Sequence, residues 1–137
     1  MSLFVDTSVW YAAVDASDAG NAAAKRILAG GEELVTSDHV LLETWSLVRN
    51  RIGLRAAERF WEGLRSGVAT LEPVGTADLE SAWQIGAAWP GHDFSLADRT
   101  SFAVMRRLGI ERAASFDSDF AIFRYGPNRR KALTVVR

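Results

Sequence analysis

"SLADRTSFAVMRRLGIERAASFDSDF", residues 95–120, changes its pattern part-way along. Apolar residues first recur at helical spacing, with Ser95 as a starting cap and Gly109 as a stop. "RAASF" (112–116) then reads as a short strand, closed by Asp117 with Asp119 two residues on. A helix that feeds a strand is half of a βαβ unit. The rest of the chain repeats the theme.

Working outward, "SLFVDTSVW" (2–10) opens with a short buried strand over residues 3–5 and turns polar at Asp6. Helical patterns cover 8–14 and 18–29, and Gly30-Gly31 ends the second. "ELVTS" (33–37) is a strand, capped into a helix over 39–51 that Gly53 closes. A helix follows over 55–66, then "VATLEPV" (68–74) as strand and a helix from Thr76 to Trp89. "GPN" (126–128) is a turn and "ALTVV" (132–136) a last strand. Strands alternating with helices predict a three-layer α/β/α domain with a mostly parallel central sheet. At 137 residues one domain, 1–137, is expected.

Composition narrows the classes. No cysteine is present, which excludes disulfide scaffolds, thiolate zinc sites and cysteine nucleophiles. No apolar run approaches the ~18 residues of a membrane span, and a cytoplasmic protein with no membrane partner is expected. Net charge is −1, yet Arg49, Arg51, Arg55, Arg59 and Arg65 fall in one stretch, and Arg124, Arg129, Arg130 and Lys131 in another. Such patches suit phosphate or a plain solvated surface. Trp10, Trp45, Trp61, Trp83 and Trp89 lie on helical segments with apolar neighbours and read as packing groups, Trp45 and Trp61 as interface candidates. His39 and His92 are too far apart in sequence to suggest a zinc pair and read as surface or supporting groups.

In a parallel α/β sheet, strand carboxyl ends and helix N-termini share one edge, where ligands bind. Asp6 follows the first strand, Glu43 lies early in the helix after the second, Asp98 begins the helix before "RAASF", and Asp117 ends that strand. Each aspartate singly also suits a helix cap: Asp6-Thr7-Ser8 are all capping types, and "SLAD" (95–98) resembles a capping box. Helical spacing puts Glu43 beside Val40 and Leu47, turned toward the core, where a lone carboxylate is costly. Several acids converging without a basic partner call for a divalent cation, and an oxygen-only set suits Mg²⁺ or Mn²⁺. Such a centre activates water and stabilises the leaving oxygen of a phosphodiester.

These segments resemble the PIN domain, in particular the VapC-type ribonuclease toxins, across nearly the whole chain. The matching stretches are "FVDTSVW" (4–10), "SDHVLLETWSLV" (37–48) and "HDFSLADRTSFAVMRRLGIERAASFDSDF" (92–120). The resemblance implies a metal-dependent endoribonuclease whose acids fall on Asp6, Glu43, Asp98 and Asp117, with Asp119 competing for the last place. It implies supporting hydroxyls at Ser8 and Ser95, with Asp93 nearby. It further implies an RNA substrate, a cognate antitoxin protein with a basic side chain in the acidic pocket, and a homodimer. Arg99, Arg106 and Arg124 are the candidate contacts for substrate phosphates. Two rivals remain. A non-catalytic PIN-like binding module would lack the acids. An aspartyl-phosphate phosphatase would carry a second acid two residues after its nucleophile, where this chain has Ser8.

Overall fold

The structure is a computed structural model that describes all 137 residues. A five-stranded, wholly parallel sheet is ordered β3-β2-β1-β4-β7. Its strands are β1 (Ser2–Val5), β2 (Glu33–Ser37), β3 (Thr70–Glu72), β4 (Arg112–Ala114) and β7 (Thr134–Val136). Helices α1 (Thr7–Val14) and α2 (Asn21–Leu28) connect β1 to β2. Then α3 (Asp38–Arg51) and α4 (Leu54–Arg65) lead to β3, and α5 (Thr76–Ala88) and α6 (Leu96–Leu108) return to β4. A short α7 (Ser118–Ile122) follows, then β5 (Arg124–Tyr125) and β6 (Lys131–Ala132).

β1 lies at the centre because it is apolar on both faces: Leu3, Phe4 and Val5 are all buried. Each such side chain contributes about 1.5–3 kcal/mol when fully removed from water. Val9 and Trp10 of α1 and Phe102, Val104 and Met105 of α6 join them in one core with Ala113, Ala114 and Phe120. Gly109 ends α6 in the left-handed conformation (φ 69°), which costs a glycine little. Arg107 in the last turn of α6 ties this layer to α5. Its Nε and Nη2 donate to buried Asp78 at 2.9 and 3.0 Å, and its Nη1 donates to Glu72 at 2.7 Å.

The chain builds β1, β2 and β3 toward one side, then crosses back to place β4 and β7 on the other. The topological switch therefore lies between β1 and β4, and the crevice at their carboxyl ends is the natural ligand site. Asp6 leaves β1 there, and Asp117 follows β4 there.

Several boundaries differ from the sequence reading. "ALTVV" is not one strand. Leu133 is buried between two short pieces, and Lys131–Ala132 pairs antiparallel with β5 while Thr134–Val136 joins the main sheet. β4 stops at Ala114 because Ser115 and Phe116 turn away to serve the site. The second helix starts at Asn21 because the Asp18 carboxylate takes the Gly20 N–H at 2.7 Å and holds a turn. Only Thr70–Glu72 of "VATLEPV" is strand.

Candidate active site

Asp6 is fixed by local chemistry at both of its neighbours. It is the N-cap of α1, taking the Ser8 N–H at 3.4 Å. Its Oδ2 also accepts the hydroxyls of Ser8 and Ser115, each at 2.9 Å. Those hydroxyls in turn accept backbone N–H groups from the β4–α7 turn: Phe116 to Ser8 at 2.9 Å and Asp117 to Ser115 at 3.0 Å. The ends of β1 and β4 are thereby locked together across the switch point. Asp6 is 4 % exposed, and burial raises its pKa despite the serine donors that pull it down.

Asp98 enters from α6. Ser95 caps that helix, its Oγ accepting the Asp98 N–H at 3.0 Å. The capping box is only half made, since the hydrogen bonds include none from Ser95 N–H back to the Asp98 carboxylate. That carboxylate is buried (5 % exposed) against other acids. Its pKa is pushed up to about 8, first by burial, then by the charges of Asp6 and Asp117 and by Asp119. Asp117 caps α7 through the Asp119 N–H at 2.9 Å, so both acids of that turn are aimed from one short helix. One oxygen each from Asp98, Asp117 and Asp119 lies within 4.8 Å of the others.

An open cleft of about 390 Å³ gathers these groups. Asp6, Ser8, Glu43, Asp93, Ser95, Asp98, Asp117 and Asp119 all line it, together with Thr7 and Leu47. Every candidate acid and supporting hydroxyl from the sequence therefore borders one space, although Asp6, Glu43 and Asp93 are not part of the tight trio. No lysine or arginine lines it, and none of its acids is in an ion pair. Six carboxylates without a cation, offering only oxygen ligands, fit a hard divalent ion.

Three findings revise the sequence reading of individual residues. Glu43 is exposed on α3 and reaches the cleft from its rim; the buried face of α3 is taken by Val40, Leu41, Thr44 and Val48. Arg99 does not face the cleft. Its guanidinium packs where a side chain on Gly86 of α5 would sit, and its Nε is buried without a partner. Ser115 was missed. It looks like an ordinary strand residue in "RAASF", and only the pairing of β4 with β1 brings it to Asp6. His39 supports from outside the cleft, its Nδ1 3.2 Å from the Thr100 hydroxyl of α6.

The profile of the PIN domain matches residues 3–124. The chain belongs to the PIN-domain family, in its VapC-type branch. This PIN domain is 46% identical, over 121 residues, to the 23S rRNA-specific endonuclease VapC20 of Mycobacterium tuberculosis, covering 87% of this chain and 92% of the relative. The crystal structure of that VapC20, described as a sarcin–ricin loop cleaving toxin, superposes with a TM-score of 0.84 at 41% identity, covering 88% and 93% of the two chains. A toxin–antitoxin complex from Klebsiella pneumoniae shares the fold at 15% identity, with a TM-score of 0.68 over 87% of this chain and 90% of that one.

Proposed function

We propose that this PIN domain is a metal-dependent endoribonuclease that acts as the toxin of a toxin–antitoxin pair, with large-subunit ribosomal RNA as its substrate. The observation that carries the reading is the cleft of six carboxylates, lined by no lysine or arginine, at the β1/β4 switch point. The 46% identity to a 23S rRNA-specific endonuclease supports the substrate class.

A divalent ion such as Mg²⁺ or Mn²⁺ held here would acidify a bound water and offset the negative charge that develops on the phosphodiester. Asp98, Asp117 and Asp119 are the residues to hold it, with Asp6 completing the set from β1. Glu43, free on the α3 rim, orients the attacking water. Ser8 and Ser115 fix the Asp6 carboxylate, so that its geometry is set before substrate arrives. Ser95 holds the start of α6 and thereby the Asp98 backbone.

An antitoxin partner and a homodimer belong to the same proposal. Two fold relatives were solved as toxin–antitoxin assemblies, from Klebsiella pneumoniae and Rickettsia felis, which favours the first. The wholly apolar pocket formed by Leu41, Leu42, Trp45 and Trp61 gives either partner a place to bury. No helix is long and apolar enough to cross a membrane.

The test is cleavage of purified 23S rRNA with Mn²⁺, with EDTA, and by Asp98→Asn. Cleavage that needs the metal and is lost in the variant is expected. Metal-independent cleavage, or none by the wild type under any divalent ion, overturns the reading.

A further inference from the structure

An acidic cleft repels the polyanion it is meant to cut. With a net charge of −1 overall, attraction for RNA has to come from cations placed beside the cleft. Arg99 is not available for this, as its guanidinium is packed against α5.

A second pocket, of about 200 Å³, is lined by Trp89, Arg106, Arg124, Tyr125 and Arg129 and by no acidic residue. None of its three arginines is in an ion pair, whereas neighbouring Arg107 is fully engaged with Asp78 and Glu72. Arg124 is held through Nη1 alone, which donates to the carbonyls of Ala121, Ile122 and Phe123 at 2.6, 3.1 and 3.0 Å. Arg129 lies over the Trp89 ring, its guanidinium carbon 5.7 Å from the centroid. It is aimed there by an uncommon backbone: Asn128 and Arg129 both take left-handed φ values, 59° and 51°. Two consecutive non-glycine residues in that region are strained, and such strain collects where a side chain has to be presented. Arg130 and Lys131, also exposed and unpaired, continue the hairpin.

This pocket adjoins the cleft by two routes. α7 carries Asp119 at its start and Arg124 just past its end, roughly 8 Å along at 1.5 Å per residue. Trp89 packs edge-on against His92 and Phe94, the residues on either side of Asp93 in the cleft wall.

We infer that the Arg106–Arg124–Arg129 pocket and the β5–β6 hairpin seat phosphates of the RNA strand beside the scissile one, and that they supply the affinity the acidic cleft lacks. The inference rests on the nuclease reading for its substrate but is tested by binding alone.

The experiment uses an in vitro transcribed, single-stranded 23S rRNA fragment and the cleavage-silent Asp98→Asn protein, with binding titrated from 50 to 300 mM KCl. Each phosphate contact to a single strand contributes about 0.7 to the slope of log K against log [salt]. Adding Arg106→Gln, Arg129→Gln and Arg130→Gln is expected to flatten the slope by about 2 and to weaken binding at 100 mM by at least tenfold. Arg124 is left intact because it also caps α7. If that combination melts without cooperativity, the pair Arg106→Gln with Arg130→Gln is used, with a slope change of about 1.4 expected. The comparison protein carries Arg55→Gln, Arg59→Gln and Arg65→Gln on α4, the same charge removed from another helix. An unchanged slope in the pocket variant, equal flattening by the α4 variant, or no RNA binding at all overturns the inference. Lost RNA binding in a protein that cleaves nothing still supports the pocket. Cleavage with an unchanged salt slope refutes the pocket and leaves the nuclease reading standing.

Discussion

Replacing Asp98 by Asn separates a structural acid from a working one without any substrate. Burial and three neighbouring acids hold the Asp98 carboxyl near 8, against an ordinary value of 3.8. Between those values the folded state binds a proton that the unfolded state does not. Stability therefore falls as pH rises through that window, by about 1.4 kcal/mol per pH unit for a full proton. The whole benefit is present below about 4 and is lost above about 8. At pH 7 the metal-free wild type carries a penalty on the order of 4 kcal/mol, which comes from the burial of Asp98 beside the other acids. The amide variant does not carry it. Against this stands the lost charge at the start of α6, worth up to about 1 kcal/mol. The cap bond itself is unaffected, since Ser95 accepts the backbone N–H of residue 98. In EDTA at pH 7, Asp98→Asn is expected to be more stable by about 2–3 kcal/mol, or roughly 10 °C in Tm for a chain of this size. The assay is urea or thermal unfolding of both proteins from pH 4.5 to 9. The difference between them cancels the other titrating groups. The advantage should shrink steadily toward pH 4.5, and Mn²⁺ should stabilise the wild type far more than the variant. A variant less stable at every pH, with a full Mn²⁺ response, refutes the reasoning and makes Asp98 a helix-start residue alone.

Asp6→Asn and Glu43→Gln should each reduce Mn²⁺-dependent cleavage at least 100-fold, and the double variant should be no worse than the poorer single, because the groups serve one site. Asp117→Asn and Asp119→Asn, assayed side by side, should both lower cleavage, and Asp117→Asn should leave α7 in place, because asparagine accepts the Asp119 N–H as well as aspartate does. Ser115→Ala removes one of the hydroxyls that stabilise ionised Asp6, so the pH profile of cleavage should shift to higher pH with only modest loss of stability. Arg107→Ala leaves buried Asp78 without its ion pair and should cost about 2–4 kcal/mol in urea unfolding at pH 7. The Arg107 hydrogen bond holds Asp78 below its usual range, so in the wild type this stability is present above about 4 and is lost as pH falls through the depressed value.

How far the sequence carried the reading follows from how local each signal is. The strand–acid–hydroxyl run at 2–10 and the cap–helix–strand–acid run at 95–117 are contiguous, and their register follows from period and caps alone. Three kinds of information were not contiguous. Ser115 matters only because β4 pairs with β1, a contact between residues more than a hundred positions apart. The split of 131–136 depends on β5, two residues long and without a period of its own. The neighbours Val40 and Leu47 point Glu43 toward the core in the sequence, yet Leu47 itself borders the cleft. An apolar residue beside a functional rim gives the same helical pattern as one in the core.

The fold lets these acids serve as helix caps and still converge on one cleft, which the sequence offered as alternatives, and the reason is geometric. A helix cap uses one oxygen of a side chain, or the hydroxyl of a neighbour, and leaves the remaining lone pairs directed past the helix start. At the carboxyl edge of a parallel sheet that direction is the shared crevice. Asp6 spends Oδ2 on the Ser8 and Ser115 donors, and Asp117 spends Oδ1 on the Asp119 N–H. At α6 Ser95 takes the cap bond, and the Asp98 carboxylate joins the acid trio. Local structure thus positions each acid while leaving oxygen for a ligand. The repulsion that raises Asp98 is the expected cost of that arrangement in the metal-free protein. Relief of that repulsion, more than any new contact, is what a divalent ion would contribute to stability. For that reason the Mn²⁺ response of the wild type should grow between pH 6 and 8, as Asp98 loses its proton. An Mn²⁺-induced Tm shift that is flat over that range would mean the ion binds away from this cluster.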